Sequence, residues 1–536
     1  MKFFKESHLQ LLQVILLSTF SVYLLMTTPP YWIQTPDSGI YVGSAENLLR
    51  DFSYYFNQFP NLQYYPGVSA FLALPIAIFG TDFYVLQVVM ALVSTAGIFF
   101  IAKYFSYRDY GVVGLVTPFL VLFSAIYIKN FYLLLSDSLF LTLTIAILIC
   151  WRTYEKTKNN RALIFCLVLV ALSPLVRFHG LFICAAFSLT LLINAFYSNS
   201  ERNKKIIIAL ALGMLVCLPF ALWTLRNVML HNPDTFNMAN NMFFGLKGLA
   251  LYAKGHVGVV NEVVNHPSEY PLLRVTLFVS GLFESWYGQI NRTNQFVVTG
   301  AMVLLAIIGS NSWFKRATKP ERIYVLLSFA FILNNLLFNK SLYIVYRYWI
   351  PVIPFFIIMM GFGIRQLINI KWLRPIKTLS QTAAILVIGF LLFQAYPNIN
   401  KHLQGVESQK LENEALAQLE IFAAKNIPEN AQVATTDWGI LPRSVGRRSF
   451  PVLNDPDYVE TINRMLKYNI SYLVTYGKTN HMAAPSLTLA AKFPNVFIEV
   501  FRTVEDKPNV QIKVFNINIT NLKEMAKKEF NLRINS

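Results

Sequence analysis

The sequence predicts an all-α polytopic membrane domain of about 11 to 13 transmembrane helices, followed by a small extracytoplasmic α/β domain. Three observations carry that prediction. First, 55% of the 536 residues are hydrophobic and 14% are charged, against roughly 25% charged in an ordinary soluble domain. Second, apolar runs recur along the chain, among them "VILLSTFSVYLLM", "FYVLQVVMALVSTAGIFFIA" and "LTLTIAILIC", and many approach the roughly 20 residues that cross hydrocarbon as a helix. Third, the composition changes near Pro397: 31 of the 140 residues from 397 to 536 are charged, against 43 of the first 396. The domains are therefore 1–396 in the membrane and 397–536 outside it.

This pattern excludes a cleaved signal peptide with a soluble mature protein. The net charge of +18 divides as +15 in the membrane part and +3 in the soluble part, so it reads as topology and contact with the lipid bilayer, with no nucleic acid partner. Cys150, Cys166, Cys184 and Cys217 lie in or beside apolar runs, where free cysteine behaves as a small buried hydrophobe. They form neither a zinc pattern nor a disulfide framework.

Short basic loops orient the spans. "WRTYEKTKNNR" (151–161), "ERNKK" (201–205), "FKRATKPER" (314–322) and "RQLINIKWLRPIK" (365–377) carry four, three, four and four basic residues. All four are expected in the cytoplasm of a cell whose plasma membrane holds this multi-pass chain, with the N-terminus cytoplasmic. Spans near 161–176 and 180–197 form a hairpin with "VRFHG" at its outer tip. A span near 206–229 leads to an outer loop at 231–270, matching the outer loop at 28–65. Spans near 323–338 and 345–364 form a second hairpin. A last span near 379–396 delivers the C-terminal domain to the outside, where "LENEALAQLEIFAAKNIPENAQVATTDWGILPRSVGRRSFPVL" and "DYVETINRMLKYNISYLVTYG" alternate helix with strand.

Three apolar segments, 66–80, 83–104 and 111–127, separate Asp37 from Asp137. An odd number of crossings would put the two acids on opposite faces, so one segment is expected to be partial. "PGVSAFLALPIAIFG", with Pro66 and Pro75, is the expected one. A similar parity problem at 271–290 predicts a second re-entrant element.

One aqueous face then collects Asp37, Asp137, Arg177, His179 and Arg347. Ionisable groups within a membrane domain are costly and invite a functional reading. Each also has a plainer one. Asp37 in "TPDSGIYVGSAENLL" suits a helix N-cap, and so does Ser38. Asp137 in "LLLSDSLFLTL" could cap an outer helix end, the two arginines could snorkel to the interface, and a single histidine is commonly a satisfied core residue.

Taken together, "PDSGIY…AENLL", "YYPGVSAFLALPIAIFG", "SDSLFLTLTIAIL", "LSPLVRFHGLF" and "YRYWIPVIPFF" resemble, in order, the polytopic glycosyltransferases of superfamily C (GT-C). They resemble especially the bacterial members akin to protein O-mannosyltransferases and lipid A aminoarabinose transferases. Many members carry a paired Asp-Glu in the first loop where this chain has Asp37-Ser38, and Tyr-Pro-Pro-Gly where it has Tyr65-Pro66-Gly67.

The resemblance implies transfer of a sugar, with inversion at the anomeric carbon, from a polyprenyl-phosphate sugar donor to an acceptor (protein, glycolipid or polysaccharide) on the outer face. It implies Asp37 as general base, Asp137 positioning the acceptor or the first loop, and Arg177, His179 and Arg347 at the donor phosphate, where arginine suits bidentate contact. Tyr41 and Tyr65 belong to the substrate loop. No cofactor is called for: His231, His256 and His266 lack zinc-ligand spacing, and the missing second acid beside Asp37 argues against the divalent ion that some relatives use. Gly446, Arg447 and Arg448 read as a solvated loop or a contact for an anionic acceptor. The alternatives are a transporter or flippase, for which no internal repeat is visible, and a non-catalytic member of the same fold.

Overall fold

A computed structural model describes residues 6–230, 292–338, 350–368 and 409–532, apart from 57–58, 63, 199, 438, 453–457, 478–479, 504–509 and 531. Arg347, the loop at 231–270 and the segments near 271–290 and 379–396 lie outside the described residues. The N-terminal part is helical. Helix α1 (Glu6–Met26) is followed by α2 (Pro36–Asp51), a short antiparallel pair of β1 (Tyr55–Phe56) with β2 (Phe59–Pro60), and α3 (Pro66–Phe79). Then come α4 (Phe83–Tyr104), α5 (Tyr107–Tyr110), α6 (Val112–Leu122), α7 (Ala125–Asn130), α8 (Ser136–Thr157), α9 (Asn160–Val176), α10 (Gly180–Phe196) and α11 (Arg202–Leu230). After the undescribed segment come α12 (Arg292–Arg316), α13 (Lys319–Phe338) and α14 (Ile353–Ile368).

By length and apolar composition α1, α4, α8 and α11 can each cross a membrane, and α3, α6, α9, α10 and α14 are shorter apolar helices. The protein is a multi-pass membrane protein. Pro75, Pro118, Pro174 and Pro219 sit inside helices, which membrane bundles tolerate because neighbouring groups re-satisfy the freed backbone. Leu74, Ile78, Ile164, Ile207 and Met214 are exposed on the outside of the bundle, as lipid-facing side chains are.

Hydrogen bonds fix which helix ends lie together. Thr142 Oγ1 donates to Val93 O at 3.0 Å, and Arg152 Nη1 donates to Tyr104 O at 2.8 Å, so α8 runs parallel to α4 and their first turns share one end. Gln87 in the second turn of α4 ties that end to the chain leaving α1. Its Oε1 accepts from Ile33 N at 2.8 Å, and its Nε2 donates to the carbonyls of Pro29 and Tyr31 at 3.0 Å.

Helix α3 answers the parity question. Just before it, the Tyr64 hydroxyl bonds Asp37 of α2, and just after it Thr81 Oγ1 donates to Glu46 of α2 at 2.8 Å. Its 14 residues, about 21 Å of helix, lie alongside α2, and the Gln87 bonds to Pro29, Tyr31 and Ile33 return the chain after α3 to the end where α1 left off. Asp37 and Asp137 therefore share one end of the bundle.

The opposite end gathers the basic loops. There Arg152 stacks on Tyr104 with its guanidinium carbon 4.2 Å from the ring centre. Buried Glu321 accepts from the Tyr104 hydroxyl, from Trp313 Nε1 at 3.0 Å and from Thr318 N at 3.1 Å, and Lys319 Nζ reaches Asn194 Oδ1 at 2.6 Å.

The C-terminal domain begins with a helix at 409–426, here α15. It continues through β3 (Gln432–Thr435), α16 (Ile440–Val445), β4 (Arg448–Pro451), α17 (Val459–Lys467), β5 (Tyr472–Tyr476), α18 (Asn480–Lys492), β6 (Phe497–Arg502), β7 (Ile512–Ile517) and α19 (Ile519–Phe530). Five strands form one sheet in the order β4-β3-β5-β7-β6; the first three are parallel and β7 runs antiparallel to both neighbours. Ala434, Phe450, Ile462, Leu473, Phe515 and Leu522 close a core between the sheet and α17 to α19. Arg447, at the loop after α16, is half-exposed. Its guanidinium donates to the carbonyls of Ile427 at 2.8 Å, Pro428 at 3.0 Å and Ala423 at 3.2 Å, and so closes the C-terminus of α15.

Candidate active site

Helix α2 starts with a capping box. Thr35 Oγ1 accepts from Ser38 N at 3.1 Å, and Ser38 Oγ accepts from Thr35 N at 3.1 Å. Trp32 Nε1 donates to the same Ser38 hydroxyl at 3.0 Å. Thr35 is thus the cap, where the sequence offered Asp37 or Ser38. Asp37 follows Pro36 in the first turn, where its negative charge also suits the helix dipole. It is half-buried, and its Oδ1 accepts from the Tyr64 hydroxyl at 2.8 Å.

Tyr64 is held from two sides. Tyr41, one turn beyond Asp37, packs edge-on against its ring at 5.4 Å, and the Tyr54 hydroxyl donates to Tyr64 O at 2.9 Å. Burial is the main reason the Tyr54 phenol is pushed well above the ordinary tyrosine range, so it stays protonated as a donor. Arg226, near the end of α11, donates to Tyr54 O at 2.8 Å and Asn61 O at 3.2 Å and pins the loop beneath.

Tyr65 does not face Asp37: it is buried against Trp223 at 5.3 Å and Phe220 at 6.2 Å. Of the two tyrosines in the loop that the sequence reading gave to the substrate, Tyr64 is the one that bonds Asp37.

Asp137 and Arg177 meet each other. Arg177 Nη1 lies 2.7 Å from Asp137 Oδ1 and donates to Ser136 Oγ at 2.8 Å. The Asp137 side chain has 0% exposure and that of Arg177 10%. This largely buried pair holds α8 to the C-terminus of α9. The Asp137 carboxylate has no exposed surface in this structure and is paired with Arg177.

His179 follows at the turn into α10, buried and enclosed by Phe331, Phe182 and Phe140 at ring distances of 5.0, 5.7 and 6.2 Å. Burial first, then the neighbouring Arg177, holds its imidazole well below the ordinary histidine range. In this structure Arg177 and His179, expected at the donor phosphate, form a packed support with Asp137 and the phenylalanines.

That support adjoins the Asp37 loop. A Cβ on Gly67, three residues past Tyr64, would stand 2.6 Å from Leu175 O and 2.9 Å from a methyl of Val176, the residue before Arg177. Among the described residues no group of three His, Cys, Asp or Glu side chains is placed to share a metal ion.

The model of the family "Dolichyl-phosphate-mannose-protein mannosyltransferase" matches residues 63–223, from the loop before α3 to the last turns of α11. Among solved structures, ArnT from Cupriavidus metallidurans in the apo state superposes with a TM-score of 0.56 at 12% identity, over 95% of this chain and 98% of that one. The chain has a GT-C glycosyltransferase fold. The same ArnT bound to undecaprenyl phosphate matches with a TM-score of 0.56 at 13% identity, over 94% and 97% of the two chains. The archaeal oligosaccharyltransferase AglB from Archaeoglobus fulgidus is a looser match, with a TM-score of 0.48 at 14% identity over 97% of this chain and 78% of that one. No curated protein sequence matches the chain.

Proposed function

We propose that this GT-C protein transfers a sugar from a polyprenyl-phosphate-linked donor to an acceptor hydroxyl at the outer membrane face, with Asp37 as general base. The observation that carries this reading is the half-buried Asp37 carboxylate, fixed by the Tyr64 hydroxyl at 2.8 Å at the bundle end away from the basic loops. The fold supports it, as does the lipid phosphate bound by the similar ArnT structure.

In the proposed step Asp37 takes the acceptor's hydroxyl proton, and the acceptor oxygen forms a bond to the anomeric carbon. The bond from that carbon to the phosphate oxygen breaks, and polyprenyl phosphate leaves with the electron pair. A single displacement of this kind inverts the anomeric configuration. Proton abstraction requires hydrogen-bond reach, and the departing phosphate requires cations. Arg347 remains the sequence's candidate for that second part. The cytoplasmic side is assigned to the end holding 151–161 and 314–322 by the excess of Lys and Arg there, which makes the Asp37 end and the C-terminal domain extracytoplasmic.

Mass spectrometry of surface glycans and glycoproteins from cells with and without the gene tests the reading. The expected result is loss of one glycosylated species whose mass gives sugar and acceptor together. No change under expressing conditions would contradict it.

A further inference from the structure

The C-terminal domain grips α2 on both sides of Asp37. At Gly439, the N-cap of α16, a Cβ would overlap the carbonyl of Pro36, the residue before Asp37. At Gly39, two residues after Asp37, a Cβ would stand 2.7 Å from the Gly439 carbonyl carbon. The two backbones touch directly, and any side chain at either glycine would force them apart.

Hydrogen bonds to one buried carboxylate hold the residues that make this contact. Asp437 is 1% exposed, and its Oδ1 accepts from the successive backbone N–H groups of Gly439 at 3.0 Å, Ile440, and Leu441 at 2.9 Å. The segment leading into α2 is held as well: Asn413 Nδ2 donates to Trp32 O at 2.8 Å, Gln34 N donates to Gln409 Oε1 at 3.1 Å, and the Tyr476 hydroxyl donates to Gln34 Oε1 at 3.3 Å. Farther along α2, Arg443 Nη2 pairs with Glu46 Oε1 at 3.1 Å, and its guanidinium carbon lies 4.7 Å from the Phe83 ring centre.

We propose that the C-terminal domain is a positioning element for the catalytic carboxylate: Gly439 and Arg443 act through α2 to set where Asp37 stands. This rests on the reading of Asp37 as general base. Neither residue touches the carboxylate itself. Geometry at a reacting centre is sensitive enough for this to matter, since a misplacement of about 1 Å costs on the order of a hundredfold in rate.

The test uses the full chain in lipid nanodiscs and in cells. Hydrogen exchange is read over residues 35–51, and cellular output is the glycosylated species lost on gene deletion. Gly439→Ala is expected to speed exchange in α2 about tenfold, to leave β3 and β5 protected, and to lower the product on the order of a hundredfold. Arg443→Gln covers the case in which Gly439→Ala fails to fold. It should give the same signature more weakly, with Arg443→Lys restoring part of it. Arg502→Gln, at the exposed Glu499–Arg502 pair of the same domain, should change neither readout.

Unchanged α2 exchange in both variants would overturn the proposal, and so would faster α2 exchange with a wild-type level of product. Asp37→Asn separates the two readings. If it abolishes product while Gly439→Ala and Arg443→Gln leave product and exchange unchanged, positioning falls and the base stands. If it leaves product intact, the base assignment falls, and the positioning proposal falls with it even where α2 exchange responds.

Discussion

The first turns of α2 and α8 are alike in sequence and opposite in construction. Each opens a helix with Asp beside Ser, as Pro36-Asp37-Ser38 and Ser136-Asp137-Ser138, at the same end of the bundle. Asp137 is sealed from solvent and ion-paired at 2.7 Å with Arg177, whereas Asp37 is half-buried and takes a hydrogen bond from Tyr64 at 2.8 Å. A buried pair resists loss of either member, because the remaining charge is left uncompensated in a low-dielectric setting. An accessible carboxylate steered by a phenol can meet a substrate and take up a proton. One acid organises the scaffold, and the other is the base of the proposed reaction.

The largest effect that would break this contrast is on stability. Asp137→Ala strands Arg177 and is expected to cost about 3–5 kcal/mol, read as loss of folded protein in size-exclusion and thermal melts, whereas Asp37→Ala costs about 1 kcal/mol. Equal losses at the two sites would erase the distinction. Replacing both members of the buried pair, as in Asp137→Leu with Arg177→Met, should recover much of what Asp137→Ala loses.

Next in size is Tyr64→Phe. It removes the hydrogen bond to Asp37 that Asp37→Ala also removes, so it should cost about 1 kcal/mol of stability or less, and it should lower product formation about tenfold or more. The same change at Tyr65, whose ring packs on Trp223, should leave product within about twofold.

The smallest effect sharpens the scaffold side. His179 is held neutral by burial, below its ordinary value of 6.5. As pH falls past about 6.5 the unfolded chain takes up a proton before the folded one does. Stability present above that pH is therefore lost progressively as pH drops toward the depressed value. Melting temperatures across pH 7 to 5 should show this decline, and His179→Gln should flatten it.

The membrane architecture was legible because lipid solvation writes itself into composition: long apolar runs, basic loops and the break near Pro397 need no tertiary information. The partial character of α3 was legible too, through parity, since Asp37 and Asp137 could share an end only if one of three segments did not cross. The site was less so. Tyr64 and Tyr65 are adjacent in a loop of no fixed period, and only the packing of Tyr65 on Trp223 decides which one turns toward Asp37. The pairing of Asp137 with Arg177 is a tertiary fact, and two isolated charges in apolar runs look the same whether they serve a ligand or each other. Thr35 was passed over as the cap because its box closes on Ser38 in place of the usual Glu or Gln. The contact of Gly439 with Pro36 joins residues some 400 positions apart, and no local pattern announces it. Arg226 carried a faint signal, a lone cation in the last turns of an apolar run.

The most direct measurement of the central claim compares Asp37→Asn with Asp37→Glu in protein shown to be folded and present at wild-type level in the membrane. Product is read as the glycosylated species that disappears on gene deletion. A general base at Asp37 predicts loss of about a hundredfold to ten-thousandfold for Asn, with part of the activity kept by Glu. Product at the wild-type level from Asp37→Asn would contradict the account.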